Sequence, residues 1–380
     1  MAAGETHFAL KKIYFPNLDG LRFFAFLAVF LAHSFYSESE EITELAVYKV
    51  FRSVGHLGMF GVNFFFVLSG FLITYLLIIE KKEYKNVNIP AFYVRRVLRI
   101  WPLYYLVIQI GFMAVPTFQH LLGNPGYAES APLVPYLLFV NNWVPHEAQS
   151  AVLGVLWSIA VEEQFYLFWP LLIAVVPILR LPWIFGGLLL FSGLMRMSII
   201  GYGYTHTLSC ISDLTVGSLL AYSVLHLPTL LTWLERLKKW HILMAYLVGF
   251  TAIGVRFLWS DLPMLYLNER LMFSVFFGFV ILEQNYCLNS PLKMAQWGIV
   301  TRLGRITYGL YMLHFVAIYL VSKVSQIIWP NDNLLSVLLL QPVLSLGLSI
   351  ALAQFSYQYF ERGFLKLKVS FTRIRSSISN

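Results

Sequence analysis

Apolar runs long enough to cross a bilayer recur from one end of this 380-residue chain to the other, and the short segments between them carry most of the charge. A membrane-spanning helix needs about 20 predominantly apolar residues, and on that measure about ten spans are predicted, at roughly 18–37, 57–79, 97–115, 152–178, 181–200, 208–226, 241–259, 269–286, 306–328 and 334–357. The connecting segments alternate in charge. With the N-terminus in the cytoplasm, one set holds Lys11, Lys12, Lys81, Lys82, Lys85, Arg95, Arg96, Arg180, Arg236, Lys238, Lys239, Lys293, Arg302, Arg305 and the basic stretch after Glu361. The other set holds little beyond Lys49 and Arg52. Positively charged loops stay on the cytoplasmic side, so the expected fold class is all-α: a polytopic transmembrane helix bundle with both termini cytoplasmic. Residues 1–17 are then a cytoplasmic N-terminal segment, 18–360 the membrane domain and 361–380 a basic cytoplasmic tail too short for an appended soluble domain. The long outer loop, 116–149, contains LVPYLLFVNNW, which is too short to span twice and is expected to be re-entrant or interfacial.

The first apolar run, NLDGLRFFAFLAVFLAHSFY, breaks its own pattern with Arg22 and His33. Eleven positions on an α-helix amount to roughly 1100° of rotation and roughly 16 Å of rise, so both side chains leave from one face. Arg22 serves either as a snorkelling anchor at the lipid headgroups or as a cation for a ligand, and His33 either bonds a neighbouring helix or does chemistry. Ionisable groups inside membrane helices mark function by default. An anionic cofactor entering from the cytosol would meet Arg22, and a thin arm reaching up the helix would end at His33.

Composition supports a membrane protein: 58% of residues are hydrophobic, 12% charged, and the mean hydropathy is +0.69. The net charge of +8 follows topology rather than forming one patch, so no nucleic-acid partner is expected. Cys210 and Cys287 lack metal-ligand spacing, and neither a disulfide framework nor a metal is expected. Lys11 and Lys12 before an apolar run mimic a signal peptide, but Asp19, Arg22 and the charged SESEE after Tyr36 favour a retained span. The sequence has no Walker A loop, GxSxG elbow, HExxH helix or strand-borne GxGxxG turn, which argues against ATP-driven transport, a serine hydrolase and a zinc protease.

Other spans carry further polar groups. In FYVRRVLRIWPLYY, Arg96 and Arg99 share a face with Arg95 one step offset. These arginines form either an ordinary positive-inside cluster or a phosphate site, for which the planar guanidinium is suited. LWSIAVEEQFYLFWP places Glu162 and Glu163 in apolar surroundings, about 100° apart around the helix axis, with Ser158 one turn before. One is expected to pair with the Arg95–Arg99 group or Arg196, and the other to orient or charge a histidine. Asp213, in SDLTVGSLLA, is either a buried structural hydrogen-bond acceptor or catalytic. In LGRITYGLYMLHF, Thr307, Tyr311 and His314 share a face. His314 is the second catalytic candidate among the histidines, and Tyr308 and Tyr311 are further site candidates. Gly61 to Ile73, GVNFFFVLSGFLI, reads as a close-packing face with Asn63 as a lone polar group.

These stretches, together with FSYQYFERGFLKL, resemble acyltransferase family three, the integral-membrane O-acyltransferases of surface polysaccharides and related acceptors, over nearly the whole chain. The resemblance implies a ten-span core and an acyl-CoA donor, usually acetyl-CoA, approached from the cytosol. It makes Arg22 and His33 the family's Arg-x10-His pair, and Arg96 and Arg99 its Arg-x-x-Arg. Asn63 stands where many members have Asp, and Gly363 where a proline often follows. Some relatives carry a fused extracytoplasmic esterase-like domain that completes transfer, so a separate protein of that kind is an expected partner here.

The expected function is transfer of an acyl group, most simply acetyl, from coenzyme A to a hydroxyl of a glycan or lipid-linked sugar in the plasma membrane. Arg22, Arg95, Arg96 and Arg99 would hold the nucleotide end, His33 would be general base, and Glu162 or Glu163 would orient its ring. The alternative is a transporter of an acylated or anionic solute that uses the same charges as a relay. Such a carrier would carry paired inverted halves with broken helices, and no such symmetry is seen.

Overall fold

The computed structural model describes residues 13–124, 126–144, 152–198, 204–256, 263–328 and 333–372. His7, Lys11 and Lys12, residues 145–151 of the long loop and residues 373–380 of the basic tail lie outside the described residues. Every regular element among the described residues is helical. The main helices are α1 (Pro16–His33), α2 (Ala46–His56), α3 (Phe60–Tyr84), α4 (Ile89–Gln109), α5 (Leu156–Val175), α6 (Leu181–Ser198), α7 (Thr207–His226), α8 (Lys239–Gly254), α9 (Pro263–Tyr286), α10 (Thr307–Ile328), α11 (Gln341–Phe355) and α12 (Arg362–Lys368).

Among the described residues, seven helical stretches are long and apolar enough to cross a membrane. The other three expected spans are helical. Two of them fall short for identifiable reasons: Asn17, Asp19 and Arg22 dilute the 18 residues of α1, and α8 has 16 residues.

The centre of the bundle is the contact of α3 with α7. A Cβ at Gly70 would fall on the Leu214 carbonyl and one at Gly217 on the Val67 carbonyl, so the two backbones touch where glycine alone fits. Thr74 Oγ1 donates to Ser218 Oγ at 2.8 Å and Asn63 Nδ2 to Asp213 Oδ2 at 3.1 Å, which makes these helices run in the same direction. By the same test α5 runs with α3: Ser69 bonds Glu162, Trp169 bonds Thr74, and Lys81 bonds the carbonyls of Ile173, Ala174 and Val176. In contrast α4 opposes α5, with Trp101 on Glu163 and Tyr93 on Leu167. Likewise α8 opposes α9, with Tyr246 on Glu283 and Arg256 on Glu269.

The long loop turns back into the bundle. Tyr104 and Tyr105 donate to the carbonyls of Tyr136 and Leu137 at 2.7 and 3.1 Å, Phe139 stacks on Tyr104 at 4.2 Å, and Asn141 and Asn142 are buried. Gln164, on α5, holds this segment by donating to the Phe139 carbonyl and to Asn142 Oδ1. LVPYLLFVNNW thus packs one side against α4 and α5 and leaves Leu133, Val134, Leu137, Leu138 and Trp143 exposed on the other. The start of the basic stretch is helical: α11 runs through Ser356–Glu361 into α12, and Lys368 lines a cavity.

Candidate active site

Two cavities sit at opposite ends of the α1–α10 pair. The first, about 230 Å³, is lined by Arg22, Arg96, Arg99, Arg305 and Lys368, with Asp19 and Glu162 as its carboxylates. The second, about 450 Å³, has His33, Arg52, Gln119, Tyr319, Lys323 and Gln341 in its wall. Arg22 and His33 thus both face the interior of the bundle, as their spacing requires, but each opens into its own cavity.

In the first cavity, Arg22 Nη1 contacts Asp19 Oδ1 at 2.6 Å, and Tyr14 donates to Asp19 Oδ2 at 2.9 Å. Arg96 lies over the rings of Phe92 and Tyr166, 5.4 Å from each centroid. Arg99 shares that face and completes the row. Arg95 does not join it: its Nη1 donates to the Phe371 carbonyl at 2.7 Å and its Nη2 lies 3.7 Å from Glu80. A one-residue offset turns a side chain about 100° around the helix, enough to move Arg95 out of the expected ligand set. Arg305 and Lys368 line the cavity in its place. Sequence reasoning missed them because both looked like topological charge.

Neither glutamate orients a histidine, which corrects that expectation. Glu162 accepts from Ser69 Oγ at 2.7 Å and from Tyr166 at 2.9 Å, on the wall of the first cavity. Glu163 accepts from Trp101 Nε1 at 2.9 Å. The expected ion pair with Arg196 does not form either, because that guanidinium donates to Ser192, Ser209 and Ser212. Asp213 takes the structural alternative: it pairs with Arg270 at 2.6 Å and accepts from Ser274 and Asn63.

His33 is held by His314, fully buried on α10, and by the Val29 backbone on its own helix. The Tyr311 carbonyl can only accept, so His314 Nδ1, 2.7 Å away, carries the proton. In the neutral ring Nε2 is then an acceptor, and it faces His33 Nδ1 at 3.2 Å. His33 Nδ1 therefore donates and its Nε2 keeps a free lone pair. Phe26 and Phe30 pack on the His314 ring at 5.7 and 6.4 Å, and Phe315 on His33 at 4.5 Å.

Tyr311 and His314 stand between the two cavities. Tyr311 lines the first cavity and bonds Ser158 at 2.7 Å; since Ser158 donates its single proton to the Val155 carbonyl, Tyr311 is the donor. One turn on, His314 touches both Tyr311 and His33. Tyr308 lines the first cavity while its hydroxyl donates to the Ile100 carbonyl at 2.6 Å. Among the described residues no three His, Cys, Asp or Glu side chains gather as metal ligands.

A family model described as an acyltransferase domain, acyltransferase family 3, matches residues 15–355, and the chain belongs to that family. With seven apolar helices among the described residues it is an integral membrane protein. It is similar to "Putative peptidoglycan O-acetyltransferase YrhL" of Bacillus subtilis (strain 168), at 28% identity over 92% of this chain and 54% of that protein. It is also similar to "Peptidoglycan O-acetyltransferase OatA" of Listeria monocytogenes serovar 1/2a, at 25% identity over 92% of this chain and 56% of that protein. The chain thus spans little more than half the length of these relatives. No solved structure matches it.

Proposed function

We propose that this chain is a membrane O-acetyltransferase that moves an acyl group, acetyl in the first instance, from acyl-CoA to a hydroxyl of a glycan or lipid-linked sugar. The observation that carries this reading is the bond sequence from the Tyr311 carbonyl through His314 to His33, which leaves His33 Nε2 able to accept a proton at the wall of the second cavity. Arg22, Arg96 and Arg99 hold the anionic end of the donor in the first cavity, as phosphate-binding guanidiniums do. The acceptor occupies the second cavity, whose amides and hydroxyls suit a polyol. For the two to meet, the pantetheine arm has to pass the Tyr311–His314 layer between the cavities. The acceptor's hydroxyl oxygen then bonds to the acyl carbon as His33 Nε2 takes its proton, the carbon–sulfur bond breaks, and the leaving thiolate takes that proton from His33. General-base help of this kind is worth roughly 10²–10⁴-fold.

All ten apolar helices cross the plasma membrane in this reading, both ends of the domain being cytoplasmic. The arginine-rich cavity faces the cytosol, consistent with the alternating helix directions and the positive-inside rule. The named activity of the two relatives makes a peptidoglycan-type glycan the acceptor to try first, in surrounding membrane lipid and with a separate extracytoplasmic transferase where the product is carried onward.

The test is purified protein in liposomes with acetyl-CoA and a glycan acceptor. Acceptor-dependent release of free coenzyme A is expected, and His33→Ala at equal membrane abundance should abolish it. Turnover retained by that variant would reject the base assignment. Two cavities with Tyr311 and His314 between them also describe a carrier; solute flux without thioester cleavage in the same liposomes would establish that rival.

A further inference from the structure

We propose that Lys368 is a phosphate ligand of the donor cavity, so that α12 is part of the substrate site and not a free basic tail. This rests on the acyl-CoA reading above. Three observations carry it.

Lys368 lines the first cavity, whereas Lys366 and Leu367 beside it point outward and are exposed. The helix is also fastened there. Arg95 donates to the Phe371 carbonyl at 2.7 Å, and the same guanidinium lies 3.7 Å from Glu80, whose Oε1 accepts from the backbone of Asn88 at 3.0 Å. The α3–α4 turn thus clasps the end of α12 and sets its register against the cavity. Arg95, removed from the ligand set, acts as a positioning residue for Lys368.

Charge is the third observation. The Lys368 ammonium faces Arg22, Arg95, Arg96 and Arg99, and it makes no ion pair among the described residues. Five cations line the cavity against two carboxylates, and one of those, Asp19, is already paired with Arg22. Like charges gathered out of bulk water repel one another, and a ligand with several phosphates relieves that repulsion. Coenzyme A carries a diphosphate and a 3′-phosphate, so the excess of positive charge fits its nucleotide end better than a monoanion.

The experiment measures donor KM, kcat and inhibition by adenosine 3′,5′-diphosphate in the purified full chain. Lys368→Gln should raise donor KM and weaken the nucleotide about tenfold each, with kcat within about twofold, as expected for the loss of one uniform binding contact. Lys368→Arg should restore both, and Lys366→Gln, with the same charge change on the exposed face, should leave them unaltered. Equal KM in wild type and Lys368→Gln overturns the proposal. Amine-reactive labelling of the wild-type protein gives a second readout should the variant fail to accumulate. Adenosine 3′,5′-diphosphate should shield Lys368 and leave Lys366 labelled; equal labelling of Lys368 with and without the nucleotide also overturns it. A wild-type protein that neither binds the nucleotide nor releases coenzyme A would instead reject the enzymatic reading itself.

Discussion

His33 and His314, 281 positions apart, meet with Nδ1 of the first 3.2 Å from Nε2 of the second. In the proposed reaction the pair would work as an oriented base whose orienting group is itself uncharged. His314 is anchored by a backbone carbonyl on its own helix, so no carboxylate has to be desolvated in the middle of the bilayer.

His314→Phe keeps a ring among Phe26, Phe30 and Phe315 but removes the acceptor for His33 Nδ1. Turnover should fall roughly 10²-fold, because the His33 ring loses one of the two groups that hold it, His314 and the Val29 backbone, while donor KM stays as in wild type. Steady-state kinetics at matched abundance decide this. Unchanged kcat would mean that His33 is held by something else.

A methyl group tests the α3–α7 contact. At Gly217 it would meet the Val67 carbonyl and the Phe71 amide, both backbone atoms that cannot rotate away. Gly217→Ala should lose about 1–3 kcal/mol, the usual penalty for overpacking. Gly347→Ala, with open space around it, should change the unfolding temperature in detergent little by comparison. Equal unfolding temperatures for the two variants would show that the helices slide apart freely.

The helices, the shared face of Arg22 and His33, the Arg96–Arg99 row and the packing role of Gly61–Ile73 were legible in sequence because each depends on local periodicity. What failed depended on distance. Glu162 and Glu163 looked like partners for a histidine because sequence does not show that Ser69, Tyr166 and Trp101 stand nearer. Asp213 showed no partner because Arg270 lies 57 residues away in an unremarked span. Lys368 and Arg305 were hidden by the charge rule itself, since a cytoplasmic lysine or arginine is what topology demands whether or not it touches a ligand. Gln164, next to the two glutamates, carried a signal that could have been used: an amide inside an apolar span needs partners, and Phe139 and Asn142 of the long loop provide them.

The entry of α7 should depend on pH. His206 caps that helix, its Nδ1 accepting from the Leu208 amide at 3.2 Å while the ring stacks on Trp143 at 5.8 Å. Partial burial lowers its pKa below the usual histidine value. The neutral ring is therefore the form that stabilises the folded state. This contribution is present above the unfolded-state pKa near 6.5 and is lost as pH falls through the lower folded value. His206→Asn keeps a cap without titrating. Between pH 7.5 and 5 the wild type should lose stability relative to that variant by up to about 1 kcal/mol, the scale of one N-cap. Parallel curves of unfolding temperature against pH would reject the cap assignment.

The pair of Asp213 with Arg270 separates structure from catalysis. Both side chains are almost wholly buried, 0% and 6% exposed, and Arg270 also donates to the Tyr204 carbonyl at 2.7 Å. Removing the carboxylate alone leaves a guanidinium without its counterion inside the bundle. Asp213→Ala should therefore destabilise by about 3–5 kcal/mol, more than any packing defect of that size. Replacing both partners, as in Asp213→Leu with Arg270→Met, removes the stranded charge as well as the attraction. The double variant should be more stable than Asp213→Ala, and its turnover per folded molecule should match the wild type. Unfolding temperature and kcat of the three proteins, measured together, are sufficient. A stable double variant without turnover would place Asp213 in the chemistry and overturn its structural assignment.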